Sequence, residues 1–294
     1  MIEELRELWR YRELFFSMVQ RELRIRYKNS FLGILWSFVN PLMTTLVMWL
    51  VFGVLLNNGV TSFFAYVLAA LLPFTFLQSA VLDSAQSILS ALPVVKKIYL
   101  PRELLPLAII LSNFVHLITG FVVFFLALGL IYASTGFGVN PFQASTWLLP
   151  FLMLISLCFA TGLGLLVSAL NTFYEDVKYI ANVAMYLLTF LCPIVYFHEQ
   201  MTEALKINPW LYRLYMLNPQ AVLCICYRKA LLAPINIPVT KNGTPLTVDG
   251  LAVKVDATPF PWGWLAYAAV VSVFTLWFGY RTFNRLKWRF VERP

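Results

Sequence analysis

Few side chains in this sequence could act chemically on a substrate, and the best placed are cations. Arg24-Ile25-Arg26-Tyr27-Lys28 sets positive charges at alternate positions just ahead of the apolar run Phe31-Leu32-Gly33-Ile34-Leu35-Trp36. At a membrane boundary such cations either snorkel toward headgroups or grip an anionic phosphate, whose oxygens suit guanidinium forks and ammonium groups. The sharper expectation is that Arg24, Arg26 and Lys28 contact the phosphate of a substrate lipid. Catalysis is poorly provided for. Hydrolysis or group transfer needs a positioned acid, base or metal, and the chain has only His116 and His198, on different segments, without an acid cluster. We expect no catalytic residue and no metal site. His116, inside an apolar run, reads as packing before proton relay. Asp83, at the end of another, can reach water or pair with a neighbouring cation. Cys224 and Cys226 read as packing before metal or redox chemistry, because no matching His or Cys pair accompanies them.

These residues are positioned by apolar spans. With 60% hydrophobic and 12% charged residues among 294, the chain lacks the polar surface to cover a soluble globule. A membrane helix needs about 20 apolar residues. Uninterrupted apolarity predicts six spans: Phe31 to Leu56, Phe63 to Leu82, Leu104 to Tyr132, Trp147 to Leu170, Tyr179 to Phe197 and Trp262 to Phe283. No small-residue cleavage site follows the first, so the Met1 end is expected to stay on the mature chain. Lys and Arg concentrate before the first span, between the second and third, and after the sixth, whereas Asn57 to Ser62 and Ala133 to Thr146 contain none. That asymmetry predicts cytoplasmic termini. The cations of the long segment His198 to Pro261 do not overturn it, since long loops translocate largely regardless of charge. The net charge of +8 is spread along membrane flanks and matches no nucleic-acid-binding pattern; an anionic leaflet accounts for it.

Residues 1–30 are expected to form an amphipathic interface helix, with Leu5, Leu8, Trp9, Phe16, Val19 and Leu23 recurring at helical spacing. Prolines 93, 101 and 106 bracket a lysine-paired segment between the second and third spans that reads as a docking element. Asn171 to Lys178, with exposed aromatics and adjacent acids, suits a short helix seated in a groove of a soluble partner; ordinary turns explain either segment equally well. Between the fifth and sixth spans, Trp210 to Leu217 and Ala221 to Leu232 are each too short to cross a bilayer and read as a pair of re-entrant or interfacial helices on the outer side. Val239 to Val248 carries an Asn-Gly turn between strand-like runs and predicts a small external β-hairpin, decorative or in contact with a ligand. The expected domains are an interface helix 1–30, a transmembrane domain 31–283 with the external elements within 198–261, and a basic cytoplasmic tail 284–294. The expected fold class is an all-α polytopic membrane protein.

Several motifs resemble one family, the membrane subunits of type-two ATP-binding-cassette exporters of lipid-linked polysaccharide, which serve O-antigen, capsule and teichoic acid export. They are Tyr11-Arg12-Glu13-Leu14, the run Val19 to Trp36, Asn40-Pro41-Leu42, Lys96 to Glu103, Tyr174-Glu175-Asp176-Val177 and Leu217-Asn218-Pro219. The resemblance covers the chain except roughly 234–261. It implies a permease without enzymatic activity: two copies pair around a pore, above two copies of a soluble ABC ATPase that binds ATP and Mg, with no cofactor in this chain. The sequence agrees, having no Gly-x-x-x-x-Gly-Lys-Ser/Thr phosphate loop. The resemblance also implies that Lys96, Lys97, Tyr99, Arg102 and Glu103 serve gate and ATPase contact, and that Tyr174, Glu175 and Asp176 serve coupling. A sugar polymer slides best over aromatic faces that hold no unit tightly, which nominates Trp36, Phe38, Tyr186, Phe190 and Tyr196 for its path. The implied cargo is an undecaprenyl-diphosphate-linked polysaccharide, O-antigen ahead of teichoic acid or capsule, crossing a bacterial inner membrane. A secondary transporter would need charged groups or broken helices at the midplane, and a glycan-assembly enzyme an acid cluster; neither pattern is clear.

Overall fold

The computed structural model describes residues 9–27, 36–55, 63–95, 100–134, 143–199, 209–233 and 258–291, together with 237–238, 240–241, 244–245, 247–248, 251–252 and 254–255. Helix α1, Arg12–Tyr27, has Glu13 in its first turn and Arg24 and Arg26 in its last, the charge order that a helix dipole favours. Its expected single apolar face is divided. Met18 and Val19 are buried, with Tyr11, Phe15 and Leu23 packed beside them, while Trp9 and Phe16 are exposed. A helix at an interface has two apolar neighbours, protein and lipid, and a one-face reading merges them.

Helix α2, Trp36–Met48, contains Pro41 and passes into a π-helical stretch, Trp49–Leu55. Helix α3, Phe63–Ala85, is apolar around most of its circumference and correspondingly buried; it leads into α4, Ser87–Val95. Helix α5 is Leu104–Ser134. A 3-10 turn, Ala144–Leu148, enters α6, Leu149–Phe173, and Pro150 sits in the first turn, where its missing N–H costs nothing. Helix α7 is Val177–Leu191 and α8 is Pro209–Met216. Helix α9, Pro219–Leu231, is capped by Asn218, whose side chain accepts from the Gln220 N–H. Helix α10, Trp262–Leu286, ends in a 3-10 turn, Lys287–Val291.

Helix α3 runs between α5 and α6, and α6 packs most extensively on α10. That last crossing depends on glycine. A Cβ on Gly279 would strike the Gly162 carbonyl, and one on Gly162 would strike the Thr275 backbone, so only two residues without side chains allow the backbones this close. Three buried clusters result. The largest joins α3, α5, α6, α9 and α10. A second joins the start of α3 to 192–197 and α9, and a third joins α1, the start of α5 and the ends of α6 and α10.

Among the described residues four helical segments are long and apolar enough to span a membrane: Phe63–Pro93, Leu104–Leu130, Ala144–Phe173 and Trp262–Phe290. This is a polytopic, helical membrane protein. Val39–Leu55 and Val177–Leu191 are apolar but shorter. The predicted fifth span loses its last six residues, for α7 stops at Leu191 and Pro193 cannot continue a helix. Asn171 to Lys178 is no separate helix either; α6 and α7 meet at a corner of Tyr174, Glu175 and Asp176. Within the expected 284–294 tail, α10 extends to Leu286 and both Lys287 and Phe290 are buried. Between 237 and 255, three two-residue antiparallel pairings form, one of which sets Thr240–Lys241 against Thr244–Pro245 across Asn242-Gly243.

Candidate functional site

Three elements converge at the end of the bundle nearest α1. Arg26 stands in the last turn of α1, Asp83 in the last turn of α3, and Asn113 inside α5. The Arg26 guanidinium donates from Nη2 to Asp83 Oδ2 at 2.5 Å and from Nη1 to Asn113 Oδ1 at 2.9 Å. Asn113 closes the triangle by donating from Nδ2 to Asp83 Oδ2 at 3.0 Å. Packing of Met18 and Val19 into the third cluster aims Arg26 at these partners, since Arg26 lies about two turns further along the same helix. The ion pair stays wet, with side chains 37% and 40% exposed. Asp83 thus takes the second of its expected roles, pairing with a cation.

Beyond this triangle lies a cavity of about 600 Å³ between α2, α3, α5 and α7. Arg26 and Asp83 share its wall with Asn40, Thr44, Gln78 and His116. The lining thus offers amides, a hydroxyl and an imidazole along one wall. Pro41, inside α2, lies in the same wall. His116, expected as packing, therefore borders polar space.

Other sequence-derived residues sit elsewhere. Arg24 is exposed and borders a shallow recess with Gln20 and Arg21, away from the cavity. Lys28, Lys96, Lys97 and Tyr99 lie outside the described residues, and Trp36 and Phe38 occupy the first turn of α2. Tyr186 and Phe190 are exposed on α7 with ring centroids 5.3 Å apart. Tyr196 does not continue that face. It is half-buried beyond the end of α7, its hydroxyl 3.3 Å from the Phe190 carbonyl and 3.4 Å from the Tyr215 hydroxyl. Tyr174, Glu175 and Asp176 are exposed at the α6–α7 corner. Arg102 lies with its guanidinium carbon 5.9 Å from the Phe290 ring centroid, and Glu103 is buried in an ion pair with Lys287 at 2.6 Å.

At the opposite end of α3 an unpredicted set of contacts appears. Gln220, Cys224 and Arg228, four residues apart along one face of α9, donate to the α3 carbonyls of Pro73, Ala70 and Tyr66 at 3.3, 3.7 and 2.9 Å. Arg228 also donates to the carbonyls of Ile194 at 2.5 Å and Tyr196 at 3.3 Å, and its guanidinium carbon lies 3.7 Å from the Tyr66 ring centroid. The repeat of four was visible in the sequence; its partners were not. Cys224 and Cys226 are completely buried, and burial pushes the Cys226 thiol up to about 12, so it behaves as a small packing group. Lys229 joins this region through Glu199 at 3.3 Å and Thr258. Neighbouring His198 is pushed down to about 4 by its burial, with Lys229 and Arg228 acting in the same direction and Glu199 against them.

The arrangement sets a polar-lined cavity with part-exposed Arg26 on its wall toward one end of α3 and the buried α9 contacts toward the other. Residues 13–232 match the family described as ABC-2 type transporter. The O-antigen export system permease protein RfbA of Myxococcus xanthus is 32% identical over 199 residues, covering 67% of this chain and 73% of that protein. Two proteins of the same description from Klebsiella pneumoniae are 22% identical over 280 residues and 23% over 246, covering 95% and 82% of this chain and 94% and 90% of theirs. The family pairs such permeases with a separate ABC ATPase subunit. On its match over most of its length, this chain belongs to the ABC-2 type transporter family, as an exporter permease.

Proposed function

We propose that the chain is the membrane half of an ATP-driven exporter carrying an undecaprenyl-diphosphate-linked polysaccharide, with O-antigen as the cargo, outward across the bacterial inner membrane. The observation that carries this reading is the polar cavity with Arg26 at its mouth. A lipid diphosphate arriving at the membrane surface can take the guanidinium from Asp83, because the pair is part-exposed and such pairs hold each other by about 1 kcal/mol or less. The cavity beyond offers amides and hydroxyls to the first sugars. The exposed rings of Tyr186 and Phe190 on α7 suit a path that stacks on sugar faces, with Trp36 and Phe38 proposed beside them. Arg24 and Lys28 extend the phosphate-binding surface.

In this reading both termini are cytoplasmic, which the placement of Lys and Arg supports. Six spans follow if α2 and α7 cross as well. At roughly 1.5 Å per residue a helix the length of α7 falls short of a core about 30 Å thick, which suits helices that border an aqueous path rather than lipid alone. The apolar exposed face of α2 and its π-helical continuation, including Leu46 and Leu50, would meet a second copy of the chain. Helices α8 and α9 with the 237–255 pairings form the external cap and hairpin. Two copies of the ATPase bind ATP and Mg on the cytoplasmic side, against the 96–103 segment and the 174–176 corner.

The test is affinity purification of the chain in mild detergent, with mass spectrometry of bound protein and lipid. We expect a stoichiometric ABC ATPase and a lipid-linked glycan, the glycan being lost in Arg26→Gln. A preparation lacking the ATPase, or one whose bound lipid carries no glycan, would overturn the reading.

A further inference from the structure

The two segments proposed to meet the ATPase belong to different helices. Arg102 and Glu103 precede α5, whereas Tyr174, Glu175 and Asp176 form the corner between α6 and α7. What lies between them is the 3-10 turn Lys287–Val291 at the end of α10. Side chains three apart eclipse in a 3-10 helix, so Lys287 and Phe290 share one side. Both are buried, while Trp288 and Arg289 face outward. Lys287 Nζ meets Glu103 Oε1 at 2.6 Å, with side chains only 11% and 4% exposed. Phe290 is fully buried, its centroid 5.6 Å from that of Phe173 and 5.5 Å from that of Phe283. Phe173 is the last residue before the corner, and the Arg102 guanidinium carbon lies 5.9 Å from the Phe290 ring centroid. One turn of chain therefore grips both segments. The same buried cluster contains Met18 and Val19 of α1, so the interface helix is braced with them.

We infer that Lys287 and Phe290 are positioning residues which hold the 102–103 segment and the 174–176 corner as one rigid body, so that a displacement imposed by the ATPase at either reaches the membrane helices together. This inference rests on the proposed exporter function. Its physical basis is that a push delivered to one of two independent loops is dissipated in relative motion, whereas a packed and ion-paired contact transmits it. A buried ion pair is a poor choice for stability alone, since apolar residues of similar volume commonly serve as well; what it adds is a fixed register between α10 and the start of α5.

The experiment uses cells lacking the chromosomal copy and supplied with variants of the full chain. Surface polysaccharide is quantified on whole cells by periodate oxidation and hydrazide labelling, and ATP hydrolysis on the permease–ATPase complex purified from the same cells. For Phe290→Ala and for the double replacement Glu103→Leu with Lys287→Met, which leaves no lone buried charge, we expect assembled complexes whose surface glycan per ATP hydrolysed falls about tenfold. The charge exchange Glu103→Lys with Lys287→Glu, and Lys287→Arg alone, should restore that ratio. An assembled double replacement with the wild-type ratio would overturn the inference, since the pair would then be structural only. So would a charge exchange that assembles without restoring coupling. If Phe290→Ala fails to assemble, Phe290→Leu, which keeps the packing but not the ring beneath Arg102, decides by the same ratio: a fall supports the inference and no change overturns it. Absence of an ATPase from the wild-type preparation is a different result, which removes the exporter reading itself and this inference with it.

Discussion

Arg26 and Arg228 stand near opposite ends of α3 and use opposite chemistry. Arg26 is part-exposed and shares its charge with a carboxylate and an amide, so water or an incoming anion can compete for it. Arg228 is 4% exposed and gives its donors to three backbone carbonyls over the face of Tyr66. Among the described residues no carboxylate is within ion-pair distance of it, and its three acceptors are main-chain carbonyls. An exposed ion pair suits recognition, because its making and breaking nearly balance; a buried guanidinium spread over carbonyls suits architecture, because each bond lost leaves an acceptor dry.

The largest expected effect breaks the buried side of this contrast. Arg228→Lys puts a compact ammonium where a planar fork spans three acceptors, and should cost about 3 kcal/mol or more, read as a lowered melting temperature of the detergent-purified chain. A variant melting like wild type would remove the architectural role. Gly279→Leu supplies the scale for a lesion of packing alone. Its side chain would drive α6 and α10 apart, at about 2–3 kcal/mol in the same melt; a loss above that of Arg228→Lys would rank the glycine crossing over the clasp.

Acid should sharpen the contrast. His198 beside the clasp has a folded value of about 4 against an ordinary 6.5, so the folded state binds fewer protons between them. Its contribution is complete above about pH 6.5 and is lost as pH falls toward 4, roughly 2 kcal/mol of it by pH 5. His198→Gln should flatten that dependence, and an unchanged slope would assign it to other groups. Arg26→Gln has the smallest expected stability effect, below about 1 kcal/mol, together with loss of bound lipid-linked glycan. A large drop in melting temperature would show that Arg26 holds α1 in place as Arg228 holds α9, and the two would no longer differ in kind.

The parts of this molecule written in local pattern were readable beforehand. Apolar runs located the long helices α3, α5, α6 and α10, and charge flanking an amphipathic stretch located α1. The two short apolar stretches Trp210 to Leu217 and Ala221 to Leu232 marked α8 and α9, and Asn218 caps the second because capping is decided within a turn. The failures were equally physical. Pro193 truncated the fifth span, which an average of apolarity does not register. The face of α1 was read as one because hydrophobicity cannot say whether protein or lipid will cover a residue. The burial of Lys287 was not legible, because a lysine shows nothing of the glutamate it will meet.

By itself, then, the sequence determined that this chain enters a membrane several times and gathers cations at the end of an amphipathic helix, since hydropathy, capping and charge are properties of neighbours along the chain. Only the tertiary structure decided what those residues do. Arg26 finds Asp83 57 positions away, Arg228 finds Tyr66 across 162, and Lys287 finds Glu103 across 184. Each of these partnerships is made by helices packing side by side, which brings together groups that no local pattern relates.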